Sequence, residues 1–181
     1  MNFYRLRMTW TNQGGQKSLS PDVLKEFLLT TKLIGLGEGS IGAGRFKNDL
    51  QKGDIVAVFA KGTVPFVLTR IVGDNEQDYE TSGHFQDIEE WLDNVRKVEI
   101  LSWYQDDKKR LNLPTFSKNW PELTFAVAGQ FLQPITEWYD KVMKASIQEK
   151  TKQTLLATHN IVLTGAPGTG KTFLAKKSHA K

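Results

Sequence analysis

Apolar and polar side chains alternate from Phe3 to Trp10, with Tyr4, Leu6, Met8 and Trp10 on one side and Phe3, Arg5, Arg7 and Thr9 on the other. A period of two predicts a strand with one mostly apolar face. Asn12 to Gln16, with two adjacent glycines, is turn chemistry. Ser20-Pro21-Asp22 then sets a capping hydroxyl, a proline at the first helical position and an early acid ahead of Val23, Leu24, Phe27 and Leu28, predicting a helix to about Thr31. Leu33 to Gly37 reads as a brief buried strand, and glycines crowd the loop up to Gly44. Arg45 to Leu50 fits one or two helical turns. Lys52-Gly53-Asp54 is a tight turn into Ile55 to Ala60, an apolar run without polar interruption, and Lys61-Gly62-Thr63 predicts the hairpin into a return strand, Pro65 to Val72, ended by Gly73-Asp74.

Asn75 to Asp87 is polar and reads as loop, and Ile88 to Leu92 is too short to assign. Arg96 to Tyr104 alternates as a strand, with Val98, Ile100 and Ser102 opposite Lys97, Glu99, Leu101 and Trp103. A charged, exposed stretch follows to Arg110, then irregular chain to Pro121 and a short apolar stretch, Phe125 to Phe131. A helix starts at Pro134-Ile135-Thr136-Glu137, with Trp138, Tyr139, Val142 and Met143 among its apolar positions. This order predicts an α+β domain on a curved or barrel-like sheet, because no second strand-helix-strand unit occurs before residue 155.

Composition narrows the class. With 181 residues, 39% apolar, and no apolar run near the roughly 20 residues of a bilayer span, the expectation is one soluble globular domain with a little chain to spare. Met1 to Trp10 lacks the continuous apolar core of a secretory signal. There is no cysteine, which excludes disulfides and thiolate metal sites, and His84, His159 and His179 form no ligand cluster, so a cytoplasmic protein without membrane association is expected. The net charge of +4 is unevenly distributed: residues 1 to 150 hold 19 basic and all 20 acidic residues, a net of −1, whereas Thr151 to Lys181 hold five lysines and no acid. Bulk electrostatic attraction to nucleic acid is therefore not a property of the first 150 residues, which leaves room only for a local patch.

The densest chemical signal comes last. Ile161-Val162-Leu163 reads as a strand, Gly165-Ala166-Pro167-Gly168-Thr169-Gly170-Lys171-Thr172 is a complete P-loop (Walker A) pattern, and Phe173 to Lys177 opens a helix. Backbone N–H groups freed by the glycines can cradle phosphates, Lys171 adds charge, and the Thr172 hydroxyl can ligate Mg²⁺. The sequence stops nine residues after Thr172, without a later acidic strand, sensor or arginine finger. The expectation is a piece of a longer protein, an NTPase that uses GTP or ATP with Mg²⁺, in which these 181 residues alone neither hold a cofactor nor act as an enzyme.

Asn160 to Thr172 resembles the opening of the AAA+ superfamily module, and its position behind a separate domain resembles the McrB family, the NTP-driven subunits of modification-dependent restriction systems. Residues 1–143 resemble the EVE domain of the PUA/YTH-like group. The resemblance rests on Phe3 to Trp10 as the opening strand, Gly42-Ala43-Gly44-Arg45-Phe46 through Asp49-Leu50 as the pocket loop, and Lys52-Gly53-Asp54-Ile55-Val56-Ala57-Val58-Phe59 as a Gly-Asp turn into a buried strand. Val67 to Gly73, Val95 to Trp103 and Gln133 to Trp138 are similar to the later elements. Thr11-Asn12-Gln13 departs from the family's Ser-Glu-Pro-type ending of the first strand.

The resemblance implies a recognition domain at 1–143, a linker helix at 144–159 and the start of an AAA+ module at 160–181. It also implies a partner, methylated or hydroxymethylated double-stranded DNA whose base is flipped into an aromatic pocket, together with a McrC-like nuclease subunit and assembly as a homo-hexamer. Trp10, Ser40, Ile41, Gly42, Ala43, Trp103 and Tyr104 are the candidate base pocket. Arg45, Lys47, Lys108, Lys109 and Arg110 are the candidate contacts to the nucleic-acid backbone. The structural alternatives are core packing for the aromatic rings, a mobile surface loop for Ser40 to Ala43, a surface pair with Asp49 for Arg45, and a solvated loop for Lys108 to Arg110, which Asp106 and Asp107 precede directly. Two other functions remain open, a modified-RNA-binding domain fused to an AAA+ ATPase, and a protein-binding scaffold.

Overall fold

The structure is a computed structural model that describes residues 1–12, 15–18, 20–37, 39–60, 65–76, 85, 88, 91–116 and 125–158, with the side chains of 9–12, 15–18 and 74–76 left aside. Its centre is a strongly curled six-stranded mixed sheet that forms a half-barrel with flanking helices, an α+β architecture. Strand β1 (Phe3–Arg7) runs parallel to β5 (Ile55–Phe59), with Phe3 opposite Ile55 and Arg7 opposite Phe59. A parallel pair needs a long crossover. Here it contains the hairpin β2 (Thr9–Asn12) and β3 (Gly15–Ser18), helix α1 (Pro21–Thr31), strand β4 (Leu33–Leu36) and helix α2 (Ala43–Asn48). Strands β6 (Val67–Glu76) and β7 (Asn94–Trp103) continue antiparallel from β5, β4 closes one edge on β7, and β8 (Phe125–Val127) closes the other on β1. Helix α3 (Tyr104–Asp107) follows β7 directly, and a 3₁₀ turn, Gly129–Phe131, leads into helix α4 (Leu132–Thr158).

Both faces of the sheet are covered, which is why β5 carries no polar residue. On one face Tyr4, Leu6, Val56 and Val58 meet Leu24, Phe27 and Leu28 of α1, with Phe46 of α2 and Phe125. On the other face Phe59 meets Phe116 and Phe131, and Tyr104, Phe116 and Trp138 pack ring against ring. Helix α1 starts as its sequence predicts: the Ser20 hydroxyl accepts from the Val23 N–H at 3.3 Å, and Lys32 ends the helix in the left-handed region.

Four expectations need correction. The single strand predicted over Phe3 to Trp10 breaks after Arg7: Met8 donates its N–H to the Phe59 carbonyl at 3.0 Å, and Thr9 begins a separate two-stranded sheet with β3. Alternation continues across the break, so periodicity does not reveal it. Gly15 and Gln16 belong to β3 rather than to the turn. Strand β6 passes through Gly73 and Asp74 to Glu76, because the register shifts between Ile71 and Asn75 and the glycine marks a bulge instead of an end. The predicted strand through Tyr104 stops at Trp103, where α3 starts.

The predicted hairpin at Lys61 to Thr63, His84 and Trp120 lie outside the described residues. The chain divides into two compact units, Met1–Trp138 and Tyr139–Lys181, and the division falls within α4. Among the described residues no helix is long and apolar enough to cross a membrane.

Candidate functional site

The ladders align Arg7 with Phe59, Val58 with Val67, and Val67 with Trp103, so the ends of β1 and β5, the start of β6 and the end of β7 share one end of the sheet. The β2/β3 hairpin leaves from this end, with Trp10 opposite Lys17, and α3 and Lys108 to Arg110 leave from it on β7. Backbone register therefore brings the Trp10 hairpin, Trp103 and the basic run to the same end. Trp103 is half-buried against the first core. Phe66 meets its ring edge-to-face at 5.3 Å and 77°, and the Lys25 ammonium of α1 stands 5.1 Å from its centroid. That ammonium also pairs with the Asp106 carboxylate at 3.2 Å.

Tyr104 is a correction to the pocket set. Once the strand turns into α3, its ring enters the second core and is 1% exposed, with Phe116 at 5.7 Å and Trp138 at 5.4 Å. Its hydroxyl donates to the Pro114 carbonyl at 2.8 Å, and burial pushes its pKa up. No ring face remains for a stacked base. Trp138, fully buried, donates its indole N–H to the Ser102 hydroxyl at 2.9 Å, and Ser102 donates to Asp107 at 2.6 Å. The other Asp107 oxygen accepts from Arg110, at 3.0 Å from its Nε. Arg110 is thus tied to α3, while Lys108 lies 5.6 Å from the Tyr104 ring centroid and Lys109 is exposed. Trp91, in the stretch too short to assign from sequence, sits in a turn and is half-buried against the first core.

The glycine loop is organised around β8. The Phe125 N–H donates to the Ile41 carbonyl at 3.2 Å, and the Ser40 carbonyl accepts from Ala43 at 3.0 Å. Gly42 has φ +99°, and a Cβ there would run into the Phe125 carbonyl oxygen. Close approach at Gly42 thus serves the chain's own β8 backbone. Phe46, under Phe125 at 5.3 Å, anchors α2, and Arg45 and Lys47 project into solvent. Arg96 at the start of β7 lies seven residues from Trp103, roughly 23 Å at about 3.3 Å per residue, and it is this end of β7 that touches α2. Helix α2, which carries Arg45 and Lys47, also packs on β8, whose Phe125 pairs with Leu6.

Three buried charged residues carry structure, two of them through partners that the sequence did not disclose. The Arg96 guanidinium donates to the carbonyls of Phe46 (3.3 Å), Lys47 (2.7 Å) and Leu50 (3.4 Å), capping the C-terminal end of α2. Arg5, expected on a polar strand face, is 5% exposed, with its guanidinium 5.6 Å from the Phe131 centroid, and desolvation lowers its pKa. Asp54 accepts from the N–H groups of Asn2 (2.6 Å) and Gln51 (3.0 Å), which locks the Gly53-Asp54 turn to the start of β1. The pattern Gly-Asp before an apolar strand was the available signal for Asp54, whereas the partners of Arg5 and Arg96 lie far along the chain.

Gly165 to Thr172, including Lys171 and the candidate Mg²⁺ ligand Thr172, lies outside the described residues. Among the described residues no group of three or more His, Asp or Glu side chains could hold a metal ion. The sequence matches no protein-family model, and no curated protein matches it.

Proposed function

We propose that residues 1–143 form a PUA/EVE-like domain that recognises a modified base in double-stranded DNA, as the specificity part of a McrB-like AAA+ protein whose P-loop is Gly165 to Thr172. The observation that carries the reading is the shared sheet end, where the Trp10 hairpin, a half-buried Trp103 and the run Lys108 to Arg110 leave a curled half-barrel. An extruded base needs an aromatic surface to stack on and cations nearby for the flanking phosphates. Trp103 supplies the first, Lys108 and Lys109 the second, and the P-loop sequence that follows supplies the tie to an NTP-driven partner. GTP or ATP with Mg²⁺, a McrC-like nuclease and a hexameric assembly belong to that proposal at the level of the longer protein.

The test is equilibrium binding of the 181-residue chain, at fixed salt, to a duplex with one methylated or hydroxymethylated base, the unmodified duplex, and modified single-stranded RNA. Preference for the modified duplex, weakened by Trp103→Phe, is expected. Preference for the RNA would move the domain to RNA recognition, and equal binding to all three would end the modified-base reading.

A further inference from the structure

The Trp103 face already has an occupant. Lys25 reaches from α1 to place its ammonium 5.1 Å from the Trp103 centroid, and the Asp106 carboxylate accepts from the same ammonium at 3.2 Å. Phe66 closes the ring edge. An aromatic face, an aromatic wall and a carboxylate around a positive group form a receptor for cations: the ring quadrupole and the carboxylate both attract positive charge, and neither rewards a neutral ring as strongly. The ionic partners are exposed, with Lys25 41% and Asp106 60% accessible, so the occupant is exchangeable and not a core brace. A ligand that stacks on this face of Trp103 must displace the ammonium from the ring. A neutral base gains the ring face alone, whereas a cationic base can meet both the ring face and the Asp106 carboxylate.

We propose that the Trp103 site selects a planar cationic base, of the class produced by N-alkylation of a ring nitrogen, and that Lys25 is the internal stand-in for that cation. The proposal rests on the base-recognition reading above but names a different discriminating property, positive charge in place of a neutral methyl group. It makes Lys25 and Asp106 specificity-determining residues. In a nucleic-acid strand the released Lys25 ammonium becomes available to a flanking phosphate.

Two isomeric nucleosides separate charge from size: 1-methyladenosine is a cation at neutral pH, and N6-methyladenosine is neutral. Binding to the 181-residue chain is read by quenching of tryptophan fluorescence, with Trp103→Phe identifying the signal from this ring. The wild-type chain is expected to prefer the cation by about tenfold. Asp106→Asn should shrink that preference to about threefold or less, and Lys25→Met should raise affinity for the neutral isomer about threefold to tenfold. Both side chains are exposed, and circular dichroism melts matching the wild type verify that the variants fold.

Equal affinity for the isomers, or a preference untouched by Asp106→Asn, overturns the inference. If the nucleoside preference holds while no modified duplex binds, the cation site stands and the modified-DNA reading falls. If a duplex with a neutral modified cytosine binds through Trp103 and the isomers are not distinguished, the DNA reading stands and this inference falls.

Discussion

The glycine loop with α2 and the Trp103 end with α3 were equally good candidates for ligand contact, and they are built on opposite principles. At the loop, the close contacts are made to backbone: Gly42 lies against the Phe125 carbonyl, the Ile41 carbonyl accepts the Phe125 N–H, and Arg96 caps the end of α2. At the Trp103 end the cations pair with exposed or part-exposed carboxylates, Lys25 with Asp106 and Arg110 with Asp107. Interactions of the first kind are expensive to break because a buried polar group is left without water or partner, and those of the second kind exchange with solvent at little cost. A glycine-rich segment beside a helix is therefore not by itself a ligand loop.

Substitutions at the two regions should differ accordingly. Gly42→Ala should be the most damaging, with about 2 to 4 kcal/mol lost to the clash and to the left-handed backbone. Its neighbour Gly44, with open space around an added Cβ and a place inside α2, should gain stability as Gly44→Ala, by up to about 1 kcal/mol. Urea unfolding of the pair decides this: equal effects would mean that the loop is not seated on β8. Arg96→Met should cost about 2 to 3 kcal/mol, because three carbonyls lose a charged donor, and proteolysis within residues 43–50 should rise with it.

Tyr104→Phe should cost about 1 kcal/mol by losing the bond to Pro114, without weakening any ligand binding at Trp103. It also changes the alkaline limb. The folded pKa of Tyr104 is raised above its ordinary value of 10.0, so the folded state holds the proton more tightly, the stabilisation is complete below pH 10, and it is lost as pH climbs through the raised value. The phenylalanine variant should therefore lose less stability above pH 10 than the wild type, and if its alkaline unfolding curve is unchanged, the ring is not buried as described. The smallest effect belongs to Lys109→Ala, with stability unchanged within about 0.5 kcal/mol and the slope of log affinity against log salt for duplex DNA shallower by about 0.9 if that lysine neutralises a phosphate.

Local signals told most about the elements. The Ser20-Pro21 start of α1, the Gly53-Asp54 turn and the apolar run of β5 are each decided within a few residues by capping, turn chemistry or burial, and the structure has them where the pattern puts them. Non-local partners were hidden. Arg5 looked solvent-facing because its cover, Phe131, stands more than a hundred residues away, and Arg96 shows no helical partner until Phe46 to Leu50 is folded beside it. Tyr104 failed for a subtler reason: a strand that becomes a helix redirects the next side chain, and alternation cannot anticipate the switch. For the candidate site, the residue types at the Trp103 end were legible, while the Lys25 ammonium on its face was not, since α1 and β7 meet only in the fold.

The parallel pairing of β1 with β5 also sets an order of events for folding. Strands β5, β6 and β7 are sequential antiparallel neighbours and can zip together from nearby contacts, whereas β1 is held between β5, some fifty residues later, and β8, about 120 residues later. Loop closure over such separations is slow, and sheets dominated by distant pairings fold in milliseconds to seconds. During synthesis, the first strand to be made is thus among the last to be secured on both edges, and until Phe125 has emerged its Leu6 side lacks a neighbour. A chaperone at the ribosome would meet the nascent chain with one edge of β1 still bare.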